Sequence, residues 1–259
     1  MSEARTWSYS SASTIAQCGM QWWLQKVARA PQRPAAWFSH GTSVHSAIEH
    51  YERSERRSRK SAIEVFHTEY DRLIAEAQET EPDDTKWLRG GRVTTARDID
   101  NRRDTGATQV EWYMDFADIS GFKIWRTPEG EPALELRFER EWGGVPVIGY
   151  IDAVWEWPDG SIEPVDLKTG ARPEAARQLG VYRVALEETY GLTITHGRYV
   201  LLKTGIADPV ELTWYTRRRM DVMFSAAQAA VDNRMFDSHV GKHCFTCTVK
   251  DHCGEYQIF

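Results

Sequence analysis

The chain has 259 residues, 41% of them hydrophobic, which is enough for one sizeable domain or for a domain carrying a helical insertion. Its formal net charge of −6 argues against a protein that coats nucleic acid indiscriminately, although a local basic track beside an acidic centre remains compatible with it. No run approaches the roughly 18 apolar residues of a membrane span, and Met1–Ser13 lacks a basic segment followed by an apolar one. A soluble, cytoplasmic protein of a prokaryotic cell or its virus, with no membrane partner, is expected.

The first half reads mostly as helix. Ser11–Ala28 is expected to be helical, with Ser11 or Ser13 as its cap, and Pro31 and Pro34 end it. Gly41–Arg57 follows, apolar at Val44, Ala47, Ile48 and Tyr51. Ser61–Gln78 is a third helix, Thr80–Thr85 a polar break, and Thr95–Phe116 a fourth helix. From Ala133 to Lys168 the pattern changes to a meander of three antiparallel strands. Pro173–Tyr190 reads as a helix with proline in its first turn, ended by Gly191. Thr193–Lys203 is a strand, Val210–Tyr215 a candidate strand, and Thr216–Met235 a long helix. The tail from Phe236 is short, polar and cysteine-rich. This order indicates an α/β core with a helical N-terminal insertion.

The meander carries the chemistry. Pro158-Asp159-Gly160 is a turn signal between Val147–Trp157 and Ser161–Lys168. A hairpin centred on Asp159 sets Asp152 directly opposite Asp166, and strand alternation points Lys168 the same way as Asp166. Two facing carboxylates repel, and a hard divalent cation between them removes that repulsion. Gly143-Gly144 marks a second tight turn. Centred there, it sets Glu135 opposite Asp152, so that Glu135, Asp152 and Asp166 form one row across three strands. A slip of one residue in either hairpin would break the row. The plain alternative is a solvent-facing acidic sheet face, to which Glu139 and Glu141 would also belong.

Basic clusters at Arg53–Lys60, Arg89–Arg97, Arg102-Arg103 and Arg217–Arg219 read more readily as solvated helix faces than as phosphate contacts. Eleven tryptophans are unusually many; most must be core, and some could stack on unpaired bases.

Four motifs in order carry a resemblance. They are Gly41-Thr42-Ser43-Val44-His45, Gly149-Tyr150-Ile151-Asp152, Asp166-Leu167-Lys168-Thr169-Gly170 and Gln178-Leu179-Gly180-Val181-Tyr182. Together they resemble the PD-(D/E)xK nuclease superfamily, specifically its RecB-like branch. The resemblance implies a restriction-endonuclease-like core, a central mixed sheet flanked by helices. It implies that His45, Asp152, Asp166 and the Leu167 carbonyl hold Mg²⁺ or Mn²⁺, with Lys168 as the catalytic lysine. Glu135 would orient a water at the site. Gln178 and Tyr182, four apart on one helix face, would help hold DNA. Glu49 shares a face with His45 but matches no family role.

The four cysteines, Cys18, Cys244, Cys247 and Cys253, form a distant single and a C-x2-C-x5-C group. In a cytoplasmic chain such thiols suggest zinc or an iron–sulfur centre, and spacing alone does not choose. The layout resembles that of CRISPR-associated RecB-like exonucleases and AddB-type nuclease subunits, which implies a [4Fe–4S] cluster joining the chain ends, with structural Zn²⁺ as the alternative. His243 and His252 are alternative ligands or surface residues. The expected organisation is a cluster region at 1–30 and 236–259, a mainly helical region at 31–130 carrying the histidine motif, and a nuclease core at 131–235.

The resemblance further implies exonuclease action on single-stranded DNA or free ends, including 5′→3′ degradation. No phosphate-binding P-loop is present, so no helicase motor is expected. Competing readings are a structure-specific endonuclease, a catalytically silent DNA-binding module, and a subunit of a recombination or spacer-acquisition complex. Homo-oligomerisation is compatible with all of them.

Overall fold

A computed structural model describes residues 5–256. Helices α1 (Tyr9–Gln17) and α2 (Gly19–Lys26) are followed by α3 (Ala36–Arg53), α4 (Arg59–Thr80) and α5 (Thr95–Ser120). Then come β1 (Lys123–Ile124), β2 (Leu134–Trp142), β3 (Val145–Glu156), β4 (Ile162–Lys168), α6 (Arg177–Tyr190), β5 (His196–Leu201), β6 (Ile206–Glu211) and α7 (Arg217–Asp232). The sheet runs β1-β3-β4-β5-β6, with β2 also paired to β3. Strands β3 and β4 are antiparallel, β4 and β5 parallel, β5 and β6 antiparallel. This is a mixed α/β fold in which α6 makes the crossover between the parallel strands β4 and β5. Among the described residues no helix is long and apolar enough to cross a membrane.

The chain divides into two units. One comprises Pro34–Leu136 and Tyr150–Trp214. Its core joins Val44, Ile48 and Tyr51 of α3 to Phe66 of α4, Tyr113 of α5, Trp155 of β3 and Val165 of β4. α3 forms because its apolar residues recur at helical spacing, and that stripe is what it buries. β4 is the central strand, and Glu163 through Leu167 are all buried, as expected for a strand flanked on both sides and covered on both faces.

The other unit comprises residues up to Arg33, Arg137–Gly149, and those from Tyr215 onward. Gly143 and Gly144 have φ of +60° and +75°, the pair of positive values that a type I′ hairpin turn requires. Trp7 stacks on Trp22, and Trp22 on Phe236, which ties α1 and α2 to the segment after α7.

Several sequence expectations change. The single helix expected at Ser11–Ala28 is two, broken at Cys18, whose φ of −157° and ψ of 107° are extended. The cap of α1 is Ser8, which accepts from Ser11 N, and not Ser11 or Ser13. Gly19 is required at the break because a Cβ there would lie 2.7 Å from the backbone of Phe236. α3 begins at Ala36, ahead of the expected Gly41, and stops at Arg53 and not at Arg57. α6 starts at Arg177 rather than Pro173, and β6 lies earlier than Val210–Tyr215. Trp7, Trp22, Trp87, Trp142 and Trp155 are fully buried, so these five are core residues.

Candidate active site

The register of β3 on β4 pairs Ala153 with Val165 and Val154 with Pro164, so Asp152 and Asp166 are next in line. There the ladder gives way to a side chain: Leu167 N donates to Asp152 Oδ2 at 2.8 Å. On the other side, Val154 N donates at 2.9 Å to the carbonyl of Ala133, the residue just before β2.

α3 supplies His45. Its Nε2 lies 3.1 Å from the Leu167 carbonyl. A carbonyl only accepts, so Nε2 carries a proton, and in the neutral imidazole Nδ1 offers its lone pair. Nδ1 faces Glu135 Oε1 at 3.6 Å and Asp152 Oδ2 at 3.8 Å. Among the described residues, His45, Glu135 and Asp152 form a group whose ligand atoms all lie within 4.8 Å of one another. An octahedral Mg²⁺ at about 2.1 Å spaces its ligands roughly 3.0 to 4.2 Å apart, so this donor set fits a small divalent cation after slight contraction. A nitrogen among the oxygens suits Mn²⁺ as well.

Asp166 differs from expectation. Its carboxyl is fully buried on β4, and it stands outside that compact group of three. Lys168 Nζ lies 2.8 Å from Oδ2 and 3.0 Å from Oδ1, so the lysine neutralises it directly. Burial and the nearby Asp152 carboxylate nevertheless push Asp166 up to about 7. Burial also raises Asp152, with Glu135 adding to the rise and His45 opposing it. For His45, burial disfavours the charged form, but Asp152 and Glu135 outweigh it and lift the imidazole to about 9. These are the marks of a crowded acidic site.

Lys168 Nζ also donates to Gln178 Oε1 at 3.1 Å, and Gln178 Nε2 donates to Tyr182 Oη at 2.7 Å. Tyr182 Oη in turn lies 3.5 Å from Asp152 Oδ1. Asp166, Lys168, Gln178, Tyr182 and Asp152 are thus joined in one circuit. Tyr182 is 3% exposed, so its ring faces inward, beside Lys168 and Asp152. The Leu167 carbonyl, expected as a cation ligand, is engaged by His45 Nε2.

Two contributions were not visible in the sequence. Gln109 Nε2 donates to Thr169 O at 3.1 Å, and its Oε1 accepts from His40 Nε2 at 2.7 Å, which pins the turn after Lys168 to α5. Glu135 has φ of +45°. A left-handed backbone at a residue other than glycine costs on the order of 1–3 kcal/mol and is typical of sites where a side chain must be aimed.

A sequence profile described as the PD-(D/E)XK nuclease superfamily matches residues 6–254. The chain belongs to this superfamily. Two "Gene 69 protein" sequences are similar to it. That of Mycobacterium phage D29 is 34% identical over 240 residues, and that of Mycobacterium phage L5 is 30% identical over 259 residues. In both cases the alignment covers 89% of this chain and 89% of the relative. As a member of a superfamily of metal-dependent nucleases, the chain is assigned to the hydrolases of phosphodiester bonds, and it has an acidic site able to hold a divalent cation.

All four cysteines lie in the other unit and line one pocket, together with Leu24, His239 and His243. None forms a disulfide. Cys18 sits at the α1–α2 break, where Gln21 N approaches its Sγ at 3.4 Å. Burial raises the Cys247 thiol, and the three other cysteines raise it further. Tetrahedral zinc would need sulfurs about 3.8 Å apart. Among the described residues no three of these thiols lie within 4.8 Å of one another. His243 Nε2 is buried and makes no hydrogen bond, whereas His252 is exposed and does not line the pocket.

Proposed function

We propose that this protein is a metal-dependent deoxyribonuclease of the RecB-like branch, an exonuclease that degrades single-stranded DNA, 5′→3′, during phage DNA recombination, repair or processing. The observation that carries the reading is the convergence of His45 Nδ1, Glu135 Oε1 and Asp152 Oδ2 beside an ammonium held by Asp166 and Gln178. The RecB-like assignment is supported by the histidine on α3 and by the circuit joining Gln178 and Tyr182 to Lys168.

A divalent cation, Mg²⁺ or Mn²⁺, would be held by His45, Glu135 and Asp152, with Asp166 alongside, and would polarise the scissile phosphate. Lys168 would orient the attacking water and offset the charge that develops on the phosphate. Tyr182 and Gln178 would keep Lys168 and Asp152 in place, since misplacement by about 1 Å can cost 10²-fold in rate.

An unpaired strand is favoured by two exposed rings on the elements that carry the ligands. Phe38, 51% exposed, shares the α3 face with Thr42 and His45, about 10 Å from His45 along the helix. Tyr150, also 51% exposed, lies on the same side of β3 as Asp152, about 7 Å away. Such rings stack on bases that are not already stacked in a duplex.

The cysteine pocket is read as a [4Fe–4S] site with a structural role. Four cysteines around one pocket suit a polynuclear centre. Clamping Cys18 to the C-terminal triplet closes a long loop.

The test is cleavage with Mn²⁺ of end-labelled single strands, their duplexes and covalently closed single-stranded circles. Degradation of linear strands with circles left intact is expected. Cutting of circles would show an endonuclease, and no cleavage of any substrate would overturn the enzymatic reading.

A further inference from the structure

Three residues of α3 lie at intervals of four, His45, Glu49 and Arg53, and so follow one face of the helix. His45 belongs to the site. Glu49 lines the same open cleft as His45 and Glu135, yet it is absent from the compact ligand group. Its carboxylate is taken up by Arg53, whose Nε donates to Glu49 Oε1 at 2.7 Å. The other arm of the guanidinium has a different target: Arg53 Nη2 donates to the carbonyl of Leu134 at 2.8 Å. That carbonyl belongs to the peptide immediately before Glu135, the residue with φ of +45°.

The geometry has a consequence for the peptide. Leu134 N reaches back to Pro132 O at 2.9 Å, and Val154 N pairs with Ala133 O, so the chain turns just ahead of β2, whose first residue is Leu134. The carbonyl of Leu134, a residue 3% exposed, needs a donor. Arg53 supplies one that is charged and planar, and its fork can serve a carboxylate and a carbonyl at once. The left-handed turn at Glu135 then swings its carboxylate to within 3.6 Å of His45 Nδ1.

We infer that Glu49 and Arg53 form a positioning clamp that holds the Leu134–Glu135 peptide and thereby aims Glu135 into the cation site. Neither residue touches the cation or the substrate; Glu49 fixes the guanidinium, and the guanidinium fixes the backbone. The inference rests on the cation site proposed above. It gives the His45-x3-Glu49-x3-Arg53 spacing a single purpose: one helix carries a ligand and the brace for a second ligand from β2.

The experiment is calorimetric titration of Mn²⁺ into the full-length protein freed of divalent cations, for wild type, Arg53→Ala, Glu135→Ala and the double variant. Loss of a residue that orients a metal ligand typically weakens affinity about 10- to 100-fold. Arg53→Ala is expected to weaken Mn²⁺ binding in that range, and to have no further effect once Glu135 is alanine. Equal losses from Arg53→Ala in both backgrounds would overturn the clamp, as would unchanged affinity in the single variant. If the wild type itself binds no Mn²⁺, the cation site fails, and the clamp with it. Arg53→Lys serves as the second variant should alanine disturb folding. A lysine retains the charge but cannot bridge both partners, so it should lower affinity too. Glu135→Gly gives an independent readout. Glycine accepts the left-handed backbone without strain. In that background Arg53→Ala should lower the melting temperature less than it does in wild type; an equal loss in both would contradict the clamp.

Discussion

Gln178, in the first turn of α6, holds the ammonium of Lys168 through its amide oxygen at 3.1 Å. The same amide donates to Tyr182, so Gln178 sets the lysine from a fixed helix and not from a mobile loop. Replacing Lys168 by alanine is expected to leave DNA binding intact and to cut the single-turnover rate by about 10²–10⁴-fold. Gln178→Ala should fall between the wild type and that variant, with a loss of up to about 10²-fold in kcat and little change in KM. Undiminished cleavage by purified Lys168→Ala would refute its assignment.

The crowded carboxyls predict a pH dependence in the metal-free protein. Asp166 is raised from 3.8 to about 7 and His45 from 6.5 to about 9. Both hold extra protons in the folded state, so their contribution to stability falls as pH rises through those windows. Melting temperature in EDTA should therefore be lower near pH 8.5 than near pH 5.5, and Asp166→Asn should flatten the lower part of the profile. Mn²⁺ brings positive charge to these carboxylates, so it should raise the melting temperature more at the higher pH. A metal-induced shift that is larger at low pH would contradict this electrostatic account.

Phe38 and Tyr150 flank the ligands with exposed rings. Alanine at either position is expected to weaken binding of single strands by about 1–3 kcal/mol, with a smaller effect on duplex. Fluorescence anisotropy with matched single-stranded and duplex probes reads the difference. Equal losses on both probes would argue against stacking.

Cys18 lies at the break between α1 and α2 and lines the cysteine pocket. Anaerobically purified protein should be coloured, with a broad visible absorption band and iron by analysis. Cys18→Ala should bleach it and lower its melting temperature. A bleached variant of unchanged thermal stability would remove the structural role, and stoichiometric zinc in a colourless wild type would replace the cluster.

Much of the centre was legible because local chemistry fixes it. The Pro158-Asp159-Gly160 turn set the register of β3 on β4, and strand alternation did the rest for Asp152, Asp166 and Lys168. Gly143-Gly144 likewise fixed the β2–β3 turn. What stayed hidden depends on residues far apart in the chain. The apolar spacing through Ile15 and Trp22 runs on across Cys18, and the close approach of the Phe236 backbone to Gly19 at the break comes from far along the chain. The two residues of β1 are too few to show alternation. The kink at Glu135 carries no turn residue of its own and is braced by Arg53 from α3. Lys168 sits against Asp166 because opposite charges on one strand face, two residues apart, attract.

The central claim is that His45, Glu135 and Asp152 hold the cation on which DNA cleavage depends. The most direct measurement is single-turnover cleavage of a linear single strand, titrated with Mn²⁺, by wild type and by Asp152→Asn. The account predicts Mn²⁺-dependent cleavage by the wild type, and binding without cleavage by the variant at every Mn²⁺ concentration. Cleavage by Asp152→Asn at the wild-type rate and Mn²⁺ dependence would contradict it.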